Sequence, residues 1–218
     1  MRRNIVIPLL VLAALVFPSV VYSSDCCETK STSDFVALFN GKDLSGWEVE
    51  GPQAWTVRDG VLYCSGEGIG WLRSKKQYKD FVLQLEYKVG QEANSGVFIR
   101  ATKEGNPAFT GMEIQILNDY GRKPTQRTTG SMYSAIAPKV NASKPAGEWN
   151  EYQISCIGNM ITVRLNGRRI MHADISNPAI NAALMEGPKL TDRAKIGHIG
   201  LQNHGFPLQF RNIQIRKM

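Results

Sequence analysis

Asp80-Phe81-Val82-Leu83-Gln84-Leu85-Glu86-Tyr87-Lys88-Val89 alternates apolar and polar side chains with a period of two. Phe81, Leu83, Leu85, Tyr87 and Val89 fall on one face, and Gln84, Glu86 and Lys88 on the other. Successive side chains of an extended chain point to opposite sides, so this pattern predicts a half-buried antiparallel strand. Gly111–Leu117 repeats it, with Met112, Ile114 and Ile116 on one face and Glu113 and Gln115 on the other. Asn150–Cys156 and Met160–Leu165 read as a hairpin turned at Gly158-Asn159. Asn166-Gly167 then predicts a second tight turn into Arg168–Ala173, because both central positions of such a turn need positive φ. Near the end, Leu208 and Phe210 share one phase and Ile213 and Ile215 the other, so a bulge is expected at Arg211-Asn212. Many short strands separated by Gly, Asn, Asp and Pro predict an all-β domain of two packed antiparallel sheets. Pro178–Lys195 is the exception: Ala179–Glu186 is compatible with a short helix, a Gly-Pro break follows, and the segment reads as a loop over one rim.

The chain has 218 residues, 26 of them Lys or Arg and 19 Asp or Glu, for a net charge of +7. Arg2 and Arg3 followed by the apolar run Ile5–Val21 read as a secretory leader covering residues 1–23. Pro8 and Pro18 interrupt the run and argue against a lasting membrane span. Residues 24–34 are polar and read as a flexible leader into one domain, 35–218. A secreted or periplasmic location is expected, with no stable span once the leader is cut. The basic residues are scattered, which argues against a nucleic-acid partner. Cys64 and Cys156 lie in apolar strand-like runs, where they could pair or simply be buried; Cys26 and Cys27 lie in the polar stretch. No CxxC pair or His/Cys cluster suggests zinc.

Strand parity selects the chemistry. In Asn94-Ser95-Gly96-Val97-Phe98-Ile99-Arg100, Val97 and Ile99 take the core side, which leaves Asn94, Phe98 and Arg100 on the free side. If this strand neighbours Gly111–Leu117, Glu113 and Gln115 join them in one shallow groove. Polar groups there could read hydroxyls, and a ring could stack on a pyranose. The plainer reading of Arg100 and Glu113 is a cross-strand ion pair on a solvated sheet. Asp119, in the polar loop after that strand, suits a pocket rim. Gln202, Asn203 and His204 occupy a polar turn, and histidine is a natural proton carrier near neutral pH; His172 and His198 are weaker candidates.

Leu38-Phe39-Asn40-Gly41-Lys42-Asp43-Leu44-Ser45-Gly46-Trp47 resembles the opening signature of the 3-keto-disaccharide hydrolase domain family. Further similar motifs follow in order: Trp55–Leu62, Asn94–Arg100, Gly111–Leu117, Thr129–Tyr133, Gly147–Asn150, Gly200–Gly205 and Arg211–Ile213. The resemblance implies a concanavalin A-like jelly-roll β-sandwich with a sugar site on one sheet, acting on 3-keto glycosides. It places Arg100, Glu113, Gln115, Tyr133 and His204 within matching motifs.

A glycosidase that works by double displacement needs two carboxylates about 5 Å apart, whereas Glu113, Gln115 and Leu117 supply one. A 3-keto sugar removes that need, because its ketone acidifies the hydrogen at position 2. One base, Glu113 or His204, could abstract that hydrogen. Arg100 or a divalent metal could stabilise the enolate oxygen, and Tyr133 could protonate the leaving oxygen. No cofactor motif is present, and a metal stays open. A non-catalytic carbohydrate-binding module is the alternative that the same fold would serve.

Overall fold

A computed structural model describes residues 35–218; the leader read at residues 1–23, the polar stretch and Cys26 and Cys27 lie outside them. The strands run in chain order as β1 Val36–Ala37, β2 Trp47–Glu50, β3 Trp55–Arg58, β4 Val61–Cys64, β5 Ile69–Tyr78, β6 Phe81–Val89, β7 Asn94–Ala101, β8 Met112–Leu117, β9 Trp149–Ile157, β10 Met160–Leu165, β11 Arg168–Asp174, β12 Gly197–His204 and β13 Leu208–Lys217. Two short helices, α1 Pro107–Thr110 and α2 Pro178–Ala182, interrupt them. Among the described residues no helix is long and apolar enough to cross a membrane.

The strands form two antiparallel sheets. One has the order β11-β10-β9-β6-β13-β4-β3, with β1 also paired to β13; the other has the order β2-β5-β12-β7-β8. The concanavalin A-like sandwich is thus the observed fold. Alternation builds its core: Phe81, Leu83, Leu85, Tyr87 and Val89 from the larger sheet face Val97, Ile99, Met112, Ile114 and Ile116 from the smaller. Burying each such side chain is worth about 1.5–3 kcal/mol before chain entropy is counted. Tyr152 crosses the layers, its hydroxyl donating to the Gln115 carbonyl at 2.7 Å.

The turns follow their residues. Asn166 and Gly167 both adopt positive φ (51° and 78°) between β10 and β11, as a two-residue hairpin turn requires. Asn212 (φ 52°) marks a register shift between Arg211 and Gln214, the expected bulge. Cys64 and Cys156 are free, buried thiols. The helical piece expected at Ala179–Glu186 is shorter and earlier, at Pro178–Ala182. Pro fits the first turn of a helix, and Asn177 caps it through a bond from Ala179 N to Asn177 Oδ1.

Strand parity fails at Arg100. Between the pairs Phe98–Gly200 and Ala101–His198, β7 holds two residues where β12 holds one. The extra residue is accommodated by Arg100 in the left-handed region (φ 53°). Two glycines make room: a β-carbon at Gly111 or Gly197 would fall 2.4 Å from the backbone of this bulge. The side chain leaves the free face, is 1% exposed, and donates to Lys79 O, Gly158 O and Asp80 Oδ1 at 2.8, 2.9 and 3.0 Å. Arg100 therefore clamps β7 to the β5–β6 and β9–β10 turns, and neither the expected groove contact nor the ion pair with Glu113 forms.

Candidate functional site

The free face of the five-stranded sheet carries a hollow of about 430 Å³, floored by β5, β12, β7 and β8. This lies within the range of small-molecule clefts, about 300–1,000 Å³. Pairing of β7 with β8 sets Phe98 opposite Glu113 and Gly96 opposite Gln115. Asn94, Phe98, Glu113 and Gln115 accordingly share the hollow, as parity predicts, with Gln202 and His204 arriving from β12.

Glu113 is 3% exposed at the floor. Burial pushes its pKa up from an ordinary 4.5 to about 8, opposed by a hydrogen bond from Gln202. Desolvation disfavours the charged carboxylate, so the neutral acid predominates near pH 7. The absence of a side chain at Gly96 is what admits Glu113, since a β-carbon there would sit 2.2 Å from Glu113 Oε1. Gln115 Nε2 donates to Asn94 Oδ1 at 2.9 Å, and Asn94 Nδ2 in turn lies 3.3 Å from His204 Nδ1. Gln202 Oε1 is buried without a partner, an acceptor open to a ligand hydroxyl.

Tyr133 reaches the hollow because Gly130–Tyr133 runs along the outer edge of β8. Gly130 N donates to Gln115 O, Gln115 N to Ser131 O, and Tyr133 N to Glu113 O. Burial, and after it the nearby Glu186 carboxylate, push the phenol pKa up, so Tyr133 keeps its proton at neutral pH.

Three groups lie where sequence reasoning did not look. Trp71 of β5 and Phe98 form an edge-to-face pair with centroids 5.5 Å apart, seated over Gly200. A β-carbon at Gly200 would meet Trp71 at 2.3 Å; glycine within a strand was the available signal. Phe109 of α1 stands beside Tyr133, with centroids 6.4 Å apart. Glu186, in the segment after α2, is a second carboxylate lining the hollow. Ser134 Oγ donates to its Oε1 at 2.6 Å and Arg127 Nη2 at 3.1 Å. The Ser134 bond leads in holding the Glu186 pKa below its usual value. Buried Arg193 straps this segment to α1, donating to Pro188 O at 3.1 Å and to Ala108 O at 3.0 Å. Gly187, in the left-handed region, lets the segment close on the Phe109 ring.

Other expected site residues lie elsewhere. Asp119 is buried and organises its own loop, accepting from Thr129 N at 2.7 Å and Asn141 Nδ2 at 3.1 Å. Asn203 has the opposite parity to Gln202 and His204, so it points inward and donates to Glu67 O at 2.8 Å. His198 is buried against Ser74 O, and His172 lies on the other sheet, at β11. Among the described residues no group of three or more His, Cys, Asp or Glu is placed to hold a metal ion.

Comparison with known proteins agrees with this architecture. Residues 34–216 match the model of the 3-keto-alpha-glucoside-1,2-lyase-like domain. A Bacteroides thetaiotaomicron protein named 3-keto-disaccharide hydrolase is 25% identical over 225 residues, covering 84% of this chain and 78% of that protein. A solved structure from Parabacteroides distasonis, provisionally named a glycosyl hydrolase, is 32% identical with a TM-score of 0.74, covering 84% of this chain and 99% of its own. Carbohydrate-binding module CBM66 from Bacillus subtilis shares the fold at 13% identity and a TM-score of 0.57, covering 79% of this chain and 96% of its own.

Proposed function

The chain belongs to the family of 3-keto-alpha-glucoside-1,2-lyase-like domains, and on that premise we propose that it cleaves glycosides whose sugar carries a ketone at position 3. The observation that carries this reading is a single deeply seated carboxyl, Glu113, beside aromatic rings and amide groups in one hollow. Trp71 and Phe98 offer an apolar floor to a sugar ring. Gln202, whose Oε1 has no partner, offers an acceptor to its hydroxyls.

In this reading the Glu113 carboxylate takes the hydrogen from position 2 of the sugar. The released electron pair forms an enolate with the neighbouring ketone. Collapse of that enolate restores the ketone, forms a double bond between positions 1 and 2 and breaks the bond from position 1 to its leaving oxygen, which takes a proton from Tyr133. Water then adds at position 1 and a proton returns to position 2, so elimination followed by hydration sums to hydrolysis. A base whose pKa lies near working pH combines an adequate ionised fraction with strong proton affinity. Glu113, at about 8, suits that role better than an ordinary carboxylate would.

A second reading takes its support from Glu186. A neutral Glu113 and an ionised Glu186 in one hollow are the two protonation states that direct displacement by paired carboxylates requires.

The leader read at residues 1–23 supports export, so we place the activity outside the cytoplasm. The test is incubation of the purified protein with a 3-keto disaccharide and with its unoxidised parent. Monosaccharide release from the first alone supports the proposal. Binding without release would favour a carbohydrate-binding module.

A further inference from the structure

With Arg100 buried elsewhere, the oxygen of the ketone needs a different donor. The hydrogen-bond chain on β8, β7 and β12 offers one. Gln115 Nε2, a donor only, lies 2.9 Å from Asn94 Oδ1 and donates to it. The other end of the Asn94 amide, Nδ2, also a donor only, then faces His204 Nδ1 at 3.3 Å. For the contact to be a hydrogen bond, Nδ1 must present its lone pair. A neutral imidazole carries one proton, which then resides on Nε2.

We infer that His204 meets the substrate as a neutral hydrogen-bond donor through Nε2–H, and that Asn94 and Gln115 are positioning residues that hold it in that tautomer. Such a histidine is not the base. It is placed to donate to the ketone oxygen and to strengthen that bond as the enolate charge develops. Glu113 is left as the group that takes the hydrogen. The role at the ketone rests on the elimination reading, whereas the tautomer rests on the hydrogen-bond chain alone.

The molecule contains its own reference. His198 Nδ1 lies 2.7 Å from the carbonyl oxygen of Ser74, an acceptor only, so that nitrogen is protonated. Gln77 Nε2, 3.1 Å from His198 Nε2, donates to the remaining lone pair. The 3.4 Å approach of Arg73 Nη1 to His198 Nδ1 is the longer contact and yields to the Ser74 bond. The two histidines therefore carry opposite tautomers.

The experiment is two-bond nitrogen–proton NMR on histidine-labelled protein at a pH well above the Glu113 value of about 8, where imidazoles are neutral and buried carboxyls of this hollow are ionised. The wild type shows Nε2–H for His204 and Nδ1–H for His198. Asn94→Asp replaces the donating amide with an acceptor and moves the His204 proton to Nδ1. Gln115→Glu, which does not touch His204, turns the Asn94 amide over and has the same effect. An unchanged His198 pattern certifies the fold in each variant. Retention of Nε2–H at His204 in Asn94→Asp, or equal tautomers in the wild type, would overturn the inference. In kinetics with a 3-keto disaccharide, both variants lose about 100-fold in kcat, in line with removal of one oxyanion donor, with KM little changed. A wild type that does not cleave this substrate would sink the elimination reading and leave the tautomer result standing.

Discussion

Gly96 of β7 and Glu113 of β8 sit so close that a β-carbon on the glycine would fall 2.2 Å from Glu113 Oε1 and 2.6 Å from its Cγ. The carboxyl thus occupies space that its neighbouring strand leaves empty. Gly96→Ala forces Glu113 out of its seat while adding a residue that strands tolerate. The expected result is loss of at least about 100-fold in kcat/KM, since small misplacements of a reacting group carry such costs. Steady-state kinetics with circular dichroism checks it: a folded and fully active Gly96→Ala protein would contradict this placement.

Glu113 also sets a pH dependence. Its pKa is about 8 in the folded chain against an ordinary 4.5, so folding favours the protonated form. The stability it lends is complete below about pH 4.5 and is lost as pH rises through about 8, by at most about 1.4 kcal/mol per pH unit. Denaturation of wild type and Glu113→Gln across this window shows the slope in the first and its reduction in the second. Catalysis runs the opposite way: kcat/KM climbs with pH along a limb near 8, because the carboxylate is the active form.

Arg100→Met separates structure from chemistry. Removing a buried, hydrogen-bonded guanidinium and leaving Asp80 with the Gly158 amide but no ionic partner destabilises the fold by about 3 kcal/mol. Because Arg100 is outside the hollow, the KM of the folded fraction stays near the wild-type value. A stable variant with raised KM would return Arg100 to the site.

Tyr133→Phe tests the leaving-group proton. Loss of a positioned acid costs about 100-fold or more in rate for a sugar leaving group. An aryl leaving group, which departs without a proton, is expected to react at nearly the wild-type rate. Equal losses on both substrates would exclude Tyr133 from that transfer.

Regular alternation made much of this readable from the residues alone. Period-two patterning placed Phe81–Val89, brought Glu113 and Gln115 to the free face, and set Asn94 and Phe98 beside them. It failed at Arg100 because one additional residue in β7 reverses every side chain beyond it, and only Gly111 and Gly197, pressed against that backbone, hinted at the bulge. Asp119 and Asn203 were misplaced for another reason. A polar side chain that satisfies loop backbone has the same sequence appearance as one that waits for a ligand. Glu186 and Phe109 come from irregular segments closed over the hollow by Arg193, and no local periodicity reports such a closure.

The most direct measurement compares turnover of a 3-keto disaccharide carrying hydrogen with one carrying deuterium at position 2 of the oxidised ring. If Glu113 removes that atom in a rate-limiting elimination, the deuterated substrate reacts severalfold more slowly. Equal rates, with cleavage intact, would contradict the account and turn attention to Glu186 and direct displacement.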